Sequence, residues 1–327
     1  MTTLTRSHLS TLSRCRRKFF YTYNLELEAG SSGGVSGEGT LLHVGLAAAY
    51  KTNKAGSTDA KPMGYHAMDA LIDTGTYEYH GKQYPLGISK DTEDGREAIG
   101  RLYDVFDYYM ENQYANSFQD GWAVVDVEKD FSYEFAPGIT IEGTIDLVMR
   151  KGSLYSVWDH KSVSNIKLAL AYLKLDSQAY IYEIMANHVF KLLYPDARGE
   201  VEMVWNFLKR DRPPGFGSRI LRKNKDGSIA KNNASTNPED YLRQHRFHHN
   251  EAELFSAERE FRNLAIEADQ RLRNDIDTED TYTTRTSIKN GGEACMNSCS
   301  FFERCAAELV GHRSPVFVPA LIAGDTD

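Results

Sequence analysis

The chain has 327 residues, 41% hydrophobic and 26% charged, with a formal net charge of -8, long enough to bury a sizeable core in one large domain or about two ordinary ones. No apolar run approaches the roughly 18 residues of a membrane span, and Arg14, Arg16, Arg17 and Lys18 do not lead into the apolar core of a secretory signal, so a cytoplasmic protein without a membrane partner is expected. The negative charge argues only mildly against a nucleic-acid partner: the acids are concentrated at 91–97, 250–260 and 275–280, which leaves basic clusters at 14–18 and 209–225.

Taken in chain order, Leu9, Leu12, Cys15, Phe19 and Tyr23 recur at spacings of three and four and predict an amphipathic helix over 7–24 with Cys15 facing inward. A Gly/Ser-rich loop at 30–39 precedes a second helix over 40–51 that carries His43 near its start. Residues 52–90 read as an insertion with little regular pattern, and a strong helix follows over 93–116. Three β-rich segments, 122–135, 139–150 and 154–159, separated by turns at Pro137-Gly138 and Lys151-Gly152, predict a three-stranded meander. A helix over 168–190, a strand over 201–208, a basic Pro/Gly-containing loop over 210–245 and a charged helix over 251–274 complete the pattern, followed by a cysteine-bearing tail at 290–310. The expected organisation is a single domain over 1–327.

The meander carries Asp146 on its second strand and Asp159, His160 and Lys161 on its third. A turn centred on Lys151-Gly152 would set Asp146 opposite Val157 and diagonal to Asp159, on one sheet face with a Cα separation of about 7–8 Å. Lys161 continues that face. Two carboxylates so placed repel unless a cation or the lysine offsets them, and they suit Mg²⁺, which takes one or two carboxylates together with waters and substrate phosphate. Alone, an Asp-x-Lys is most often an exposed cross-strand ion pair, and a lone histidine in an apolar helix a packing residue.

In its ordered set of acid, acid-x-Lys and helix-strand-strand-strand-helix-strand, the sequence resembles the PD-(D/E)XK nuclease superfamily, most closely its RecB-like branch with the AddB-type and CRISPR-adaptation-associated iron-sulfur nucleases. The resemblance implies an α/β restriction-endonuclease-like core with helical additions. It also implies His43, Asp146, Asp159 and the main-chain carbonyl of His160 as Mg²⁺ or Mn²⁺ ligands, and Lys161, Gln178 and Tyr182 as catalytic-site residues. Gln178 and Tyr182 are four apart, on one helical face, where they could brace the lysine or touch DNA; Glu128 matches a first-strand acid without an assigned role.

The four cysteines are Cys15 and the trio Cys295, Cys299 and Cys305. Four thiolates suffice for a 4Fe-4S cluster or a structural Zn²⁺, and a cytosolic setting disfavours disulfides. The resemblance favours the iron-sulfur cluster, joining the two chain ends, although the three residues between Cys295 and Cys299 exceed the family's usual two. The implied activity is phosphodiester hydrolysis of DNA, single-stranded or with free ends, as an exonuclease, with a separate helicase or recombination partner; the alternative is an inactive nucleic-acid-binding or scaffold protein with a structural cluster. No Gly-x-x-x-x-Gly-Lys-Ser/Thr loop suggests that the chain itself uses ATP.

Overall fold

The computed structural model describes residues 1–27, 37–79, 82–173, 177–195, 197, 201–216, 237–273, 299 and 301. Its strands are β1 (Thr2–Thr5), β2 (Thr76–Tyr79), β3 (Lys82–Pro85), β4 (Ala123–Ala136), β5 (Ile139–Lys151), β6 (Leu154–Val163), β7 (Glu202–Lys209) and β8 (Leu242–Phe247). Its helices are α1 (Arg6–Arg14), α2 (Arg16–Phe19), α3 (Gly37–Lys54), α4 (Ala60–Thr74), α5 (Glu93–Tyr109), α6 (Ala115–Gln119), α7 (Ile166–Leu173), α8 (Ser177–Met185), α9 (Lys191–Leu193) and α10 (Glu251–Arg273). Among the described residues no helix is long and apolar enough to cross a membrane.

These residues divide into two compact units, which the expectation of one domain over 1–327 does not separate. One draws on Met1–Gly34, Ser132–Gly143 and Asn250–Asp327; the other on Val35–Phe131 and Thr144–His249. In the first, β1 pairs in parallel with Ile139–Glu142, and Arg16 clasps Glu267 of α10 through two hydrogen bonds of 2.6 and 2.9 Å. The helix expected over 7–24 is broken here: Cys15 is extended (φ -159°, ψ 111°), and its Sγ accepts a hydrogen bond from the Lys18 amide at 3.4 Å, so the cysteine caps α2. Phe20, Tyr21, Leu27 and Phe301 form a small apolar cluster against which Cys299 packs.

The second unit is built on the first part of β4, the later part of β5, and β6–β8. β6 pairs antiparallel with β5 and parallel with β7, which in turn pairs antiparallel with β8. A parallel neighbour requires a crossover, supplied by α7 and α8. Side chains alternate between the two faces. Leu147, Met149, Trp158, Val204 and Leu208 pack with Leu42, Leu46 and Tyr50 of α3, Met68 of α4 and Leu102, Phe106 and Tyr109 of α5. Trp205 and Phe207, from the other face, pack with Ile166 and Leu173 of α7 and Ala179 of α8.

Four expectations need correction. The β5–β6 turn is Gly152-Ser153, because Gly152 takes φ +61°, as the first position of a tight hairpin turn with glycine leading requires. Leu147 therefore pairs with Trp158 instead of with Ser156, and Asp146 lies one residue beyond the paired stretch. Residues 52–90 are more regular than expected, with α4 and the β2–β3 hairpin, and part of the 210–245 loop is a short 3-10 turn (Pro238–Asp240) leading into β8. The long helices expected over 93–116 and 168–190 are interrupted: α5 passes into a π-helical turn at Met110–Tyr114, while α7 ends at Leu173 and α8 begins at Ser177.

Close approach of α3 and α4 depends on glycine. A Cβ at Gly64 would lie 2.2 Å from Phe106 Cζ and 3.0 Å from the Gly45 carbonyl oxygen. Alanine normally stabilises a helix interior by about 1 kcal/mol over glycine, but overpacking costs about 1–3 kcal/mol. Gly64→Ala is therefore expected to lower the unfolding free energy in urea titrations; a gain in stability would contradict this packing.

Candidate active site

The sheet and its flanking helices bring His43, Asp146, Asp159, Lys161 and Gln178 together in one unit. Asp159 and Lys161 are two residues apart on β6 and so share a face, the one covered by α8. Asp159 is 3% exposed. Its Oδ1 accepts a 2.7 Å hydrogen bond from Gln178 Nε2, and its Oδ2 lies 2.6 Å from Lys161 Nζ. Lys161 Nζ donates to Gln178 Oε1 at 2.8 Å, so a single amide serves both ends of the ion pair. The buried carboxylate is thus held at both oxygens, by the amide of Gln178 and by the ammonium of Lys161.

Asp146 Oδ2 accepts from the His160 amide at 2.7 Å and lies 3.5 Å from His43 Nδ1 of α3. The His160 ring faces the opposite way, into a buried polar chain. Its Nδ1 lies 2.8 Å from Asn206 Nδ2, which also donates to Tyr109 OH at 3.0 Å, and Tyr109 OH is 2.6 Å from Tyr50 OH. Burial lowers the His160 pKa to about 4, so the ring is neutral at physiological pH and can accept from Asn206 at Nδ1. The Tyr182 hydroxyl donates to the Thr144 carbonyl at 3.2 Å, tying α8 to β5 two residues before Asp146.

Glu128, left without a role by the sequence, joins the acids electrostatically. It has φ +52°, a strained conformation for this residue type, within β4. Its carboxyl is pushed up to about 7, first by the surrounding protein and then by the Asp146 charge. Burial raises the Asp159 carboxyl above the usual range; Lys161 opposes this and Asp146 adds to it.

This donor set fits a hard divalent cation. Asp146 and Asp159, on neighbouring strands, are close enough for the charge of one to raise the carboxyl pKa of the other. Among the described residues no three His, Cys, Asp or Glu side chains are gathered closely enough to chelate an ion unaided, a condition Mg²⁺ tolerates because it keeps several waters. Cys15 and Cys299 are free and half-buried, whereas Cys295 and Cys305 lie outside the described residues.

An α/β core presenting two acids and a lysine on adjacent strands, braced from the crossover helix, defines a class of hydrolytic enzyme site. The chain belongs to the PD-(D/E)XK nuclease superfamily, whose family profile matches residues 3–306. That family membership makes it a nuclease-type hydrolase, in a superfamily that generally uses Mg²⁺ or Mn²⁺. No curated protein matches the sequence. Among solved structures, a crystal structure named "Putative exonuclease" from Eubacterium rectale is similar at 8% identity with a TM-score of 0.46, over 90% of this chain and 92% of that one.

The raised Asp159 pKa has a definite sign. Below the unfolded value of about 4 the group is protonated in both states. As pH rises through the raised folded value, the folded state gives up a proton that it held more tightly than the unfolded chain, and that stability is lost. In metal-free buffer the melting temperature of the wild type is therefore expected to fall relative to that of Asp159→Asn between about pH 4 and pH 7. Parallel melting profiles for the two proteins would contradict the raised pKa.

Proposed function

We propose that the protein is a Mg²⁺- or Mn²⁺-dependent deoxyribonuclease that hydrolyses phosphodiester bonds as an exonuclease, on single-stranded DNA or DNA ends. The observation that carries this reading is the pair of acids Asp146 and Asp159 on neighbouring strands, beside a lysine tied to Asp159 by Gln178. In this assignment Asp146, Asp159, His43 and the His160 main-chain carbonyl would hold the ion, with waters completing its coordination. When bound, the ion supplies neutralisation of phosphate charge and a lowered pKa for an attacking water.

The chain's own residues do the rest. Lys161 directs its ammonium at the position where the phosphate and the attacking water must meet, stabilising developing negative charge and orienting the water. Gln178 restrains that ammonium, because its Oε1 accepts from Lys161 while its Nε2 is committed to Asp159. Tyr182 acts on the strand, keeping β5 and hence Asp146 in register through the Thr144 carbonyl.

The test is cleavage of 5′- and 3′-labelled single and double strands with Mg²⁺ or Mn²⁺. Wild type is expected to shorten single strands or ends. Lys161→Ala should lose roughly 10²- to 10⁴-fold in rate, and Asp159→Ala should be at least as impaired. Absence of cleavage by wild type with either metal would overturn the reading.

We also assign Cys15, Cys295, Cys299 and Cys305 to a 4Fe-4S cluster. This reading is supported by the packing of Cys299 beside Phe20 and Tyr21, a few residues along the chain from Cys15. Anaerobically purified protein is expected to show a broad absorption shoulder near roughly 400 nm from its thiolate-bound iron. A colourless protein carrying stoichiometric zinc would replace the cluster with a structural zinc site.

A further inference from the structure

The Lys161 ammonium has a third neighbour besides Asp159 and Gln178. The ring centroid of Trp205 lies 4.6 Å from Nζ, within the range in which an aromatic face attracts a cation. The contact follows from strand register. In the parallel β6–β7 pair, Asp159 is matched with Trp205 and Lys161 with Phe207, so all four occupy one face of the sheet. Trp205 is 2% exposed and packs in one cluster with Ile166, Leu173, Ala179 and Phe207, which fixes its ring.

The choice of tryptophan carries a penalty. Its indole Nε1 is buried without a hydrogen-bond partner, a defect that phenylalanine would avoid. Phe207, two residues along, shows that the same layer accommodates a phenyl ring. What indole offers in return is the strongest cation-binding face among the aromatic side chains. Asp159 and Gln178 also hold each other, so the ring is the one neighbour whose polar interaction is with the lysine alone.

We propose that Trp205 is a positioning residue for phosphodiester hydrolysis, its buried face holding the Lys161 ammonium in place beside Asp159 and Gln178. The role rests on the function proposed above; the contact does not. A ring fixed under the ammonium restricts it before substrate arrives, so the effect belongs to kcat rather than to KM.

Two measurements on the full chain test this. In metal-free protein labelled with ¹³C-lysine, ring current from Trp205 should shift the Lys161 ε-methylene resonance upfield of the other lysines, with Lys161→Arg identifying the signal. The shift should be reduced in Trp205→Phe and abolished in Trp205→Leu. In cleavage assays, tryptophan analogues carrying one to four fluorines, inserted at position 205 alone, should lower kcat stepwise, by about tenfold across the series, at constant KM and melting temperature. An unshifted Lys161 resonance, a flat kcat series, or kcat losses that track the melting temperature would overturn the proposal. Failure of wild type to cleave despite a shifted resonance would remove the hydrolytic reading and this role with it; cleavage by wild type with a flat series would remove this role alone.

Discussion

The burial of Asp159 is the constraint on which the site depends. β6 lies between β5 and β7 with both of its faces covered, so the carboxylate at its centre is almost shut off from water, and an ionised acid there must be compensated. Lys161 supplies the opposite charge from the same face of the same strand, and Gln178 is the side chain able to satisfy both partners. A glutamate in its place would meet Asp159 with like charge, and a lysine would repel Lys161. The compensation is still incomplete, because the Asp146 charge also acts on Asp159. That residual negative potential is the property a cation site requires.

Strand alternation distributes the remaining work. His160 lies between Asp159 and Lys161, so its ring emerges on the other face, beneath α3 and α5, where Asn206, Tyr109 and Tyr50 form a buried polar chain. Its main-chain amide meanwhile donates to Asp146. A single residue thus couples the side-chain packing of one layer to the carboxylate geometry of the other. On β7 the same alternation puts Trp205 beneath the lysine and Asn206 beside the histidine.

How much of this could be read from residues alone varied with the range of the interactions. The meander was legible because alternation and Gly-containing turns are local signals. Its register was misplaced by two residues, since the choice between Lys151-Gly152 and Gly152-Ser153 turns on one dihedral angle. The even size of that error left the paired side chains of β5 and β6 on their expected faces. β1 and β8 were not legible: Thr2–Thr5 and Leu242–Phe247 are short, and β1 becomes a strand through a partner far along the chain. The break at Cys15 was hidden because the three-and-four spacing of apolar residues continues across it. Trp205 and Asn206 fell within an apolar run covered on both faces, where burial erases the alternation that would have separated them. Glu128 escaped assignment because its aim depends on a positive φ that its sequence neighbours do not announce.

The central claim is that Asp146 and Asp159 form one cation site whose charge the protein leaves deliberately unbalanced. Anomalous scattering from crystals soaked in Mn²⁺ addresses it directly. The account predicts a peak within about 2.0–2.3 Å of carboxylate oxygens from both residues, abolished in Asp159→Asn crystals. Mn²⁺ bound elsewhere, with both acids retaining their hydrogen bonds to His160 and Gln178, would contradict it.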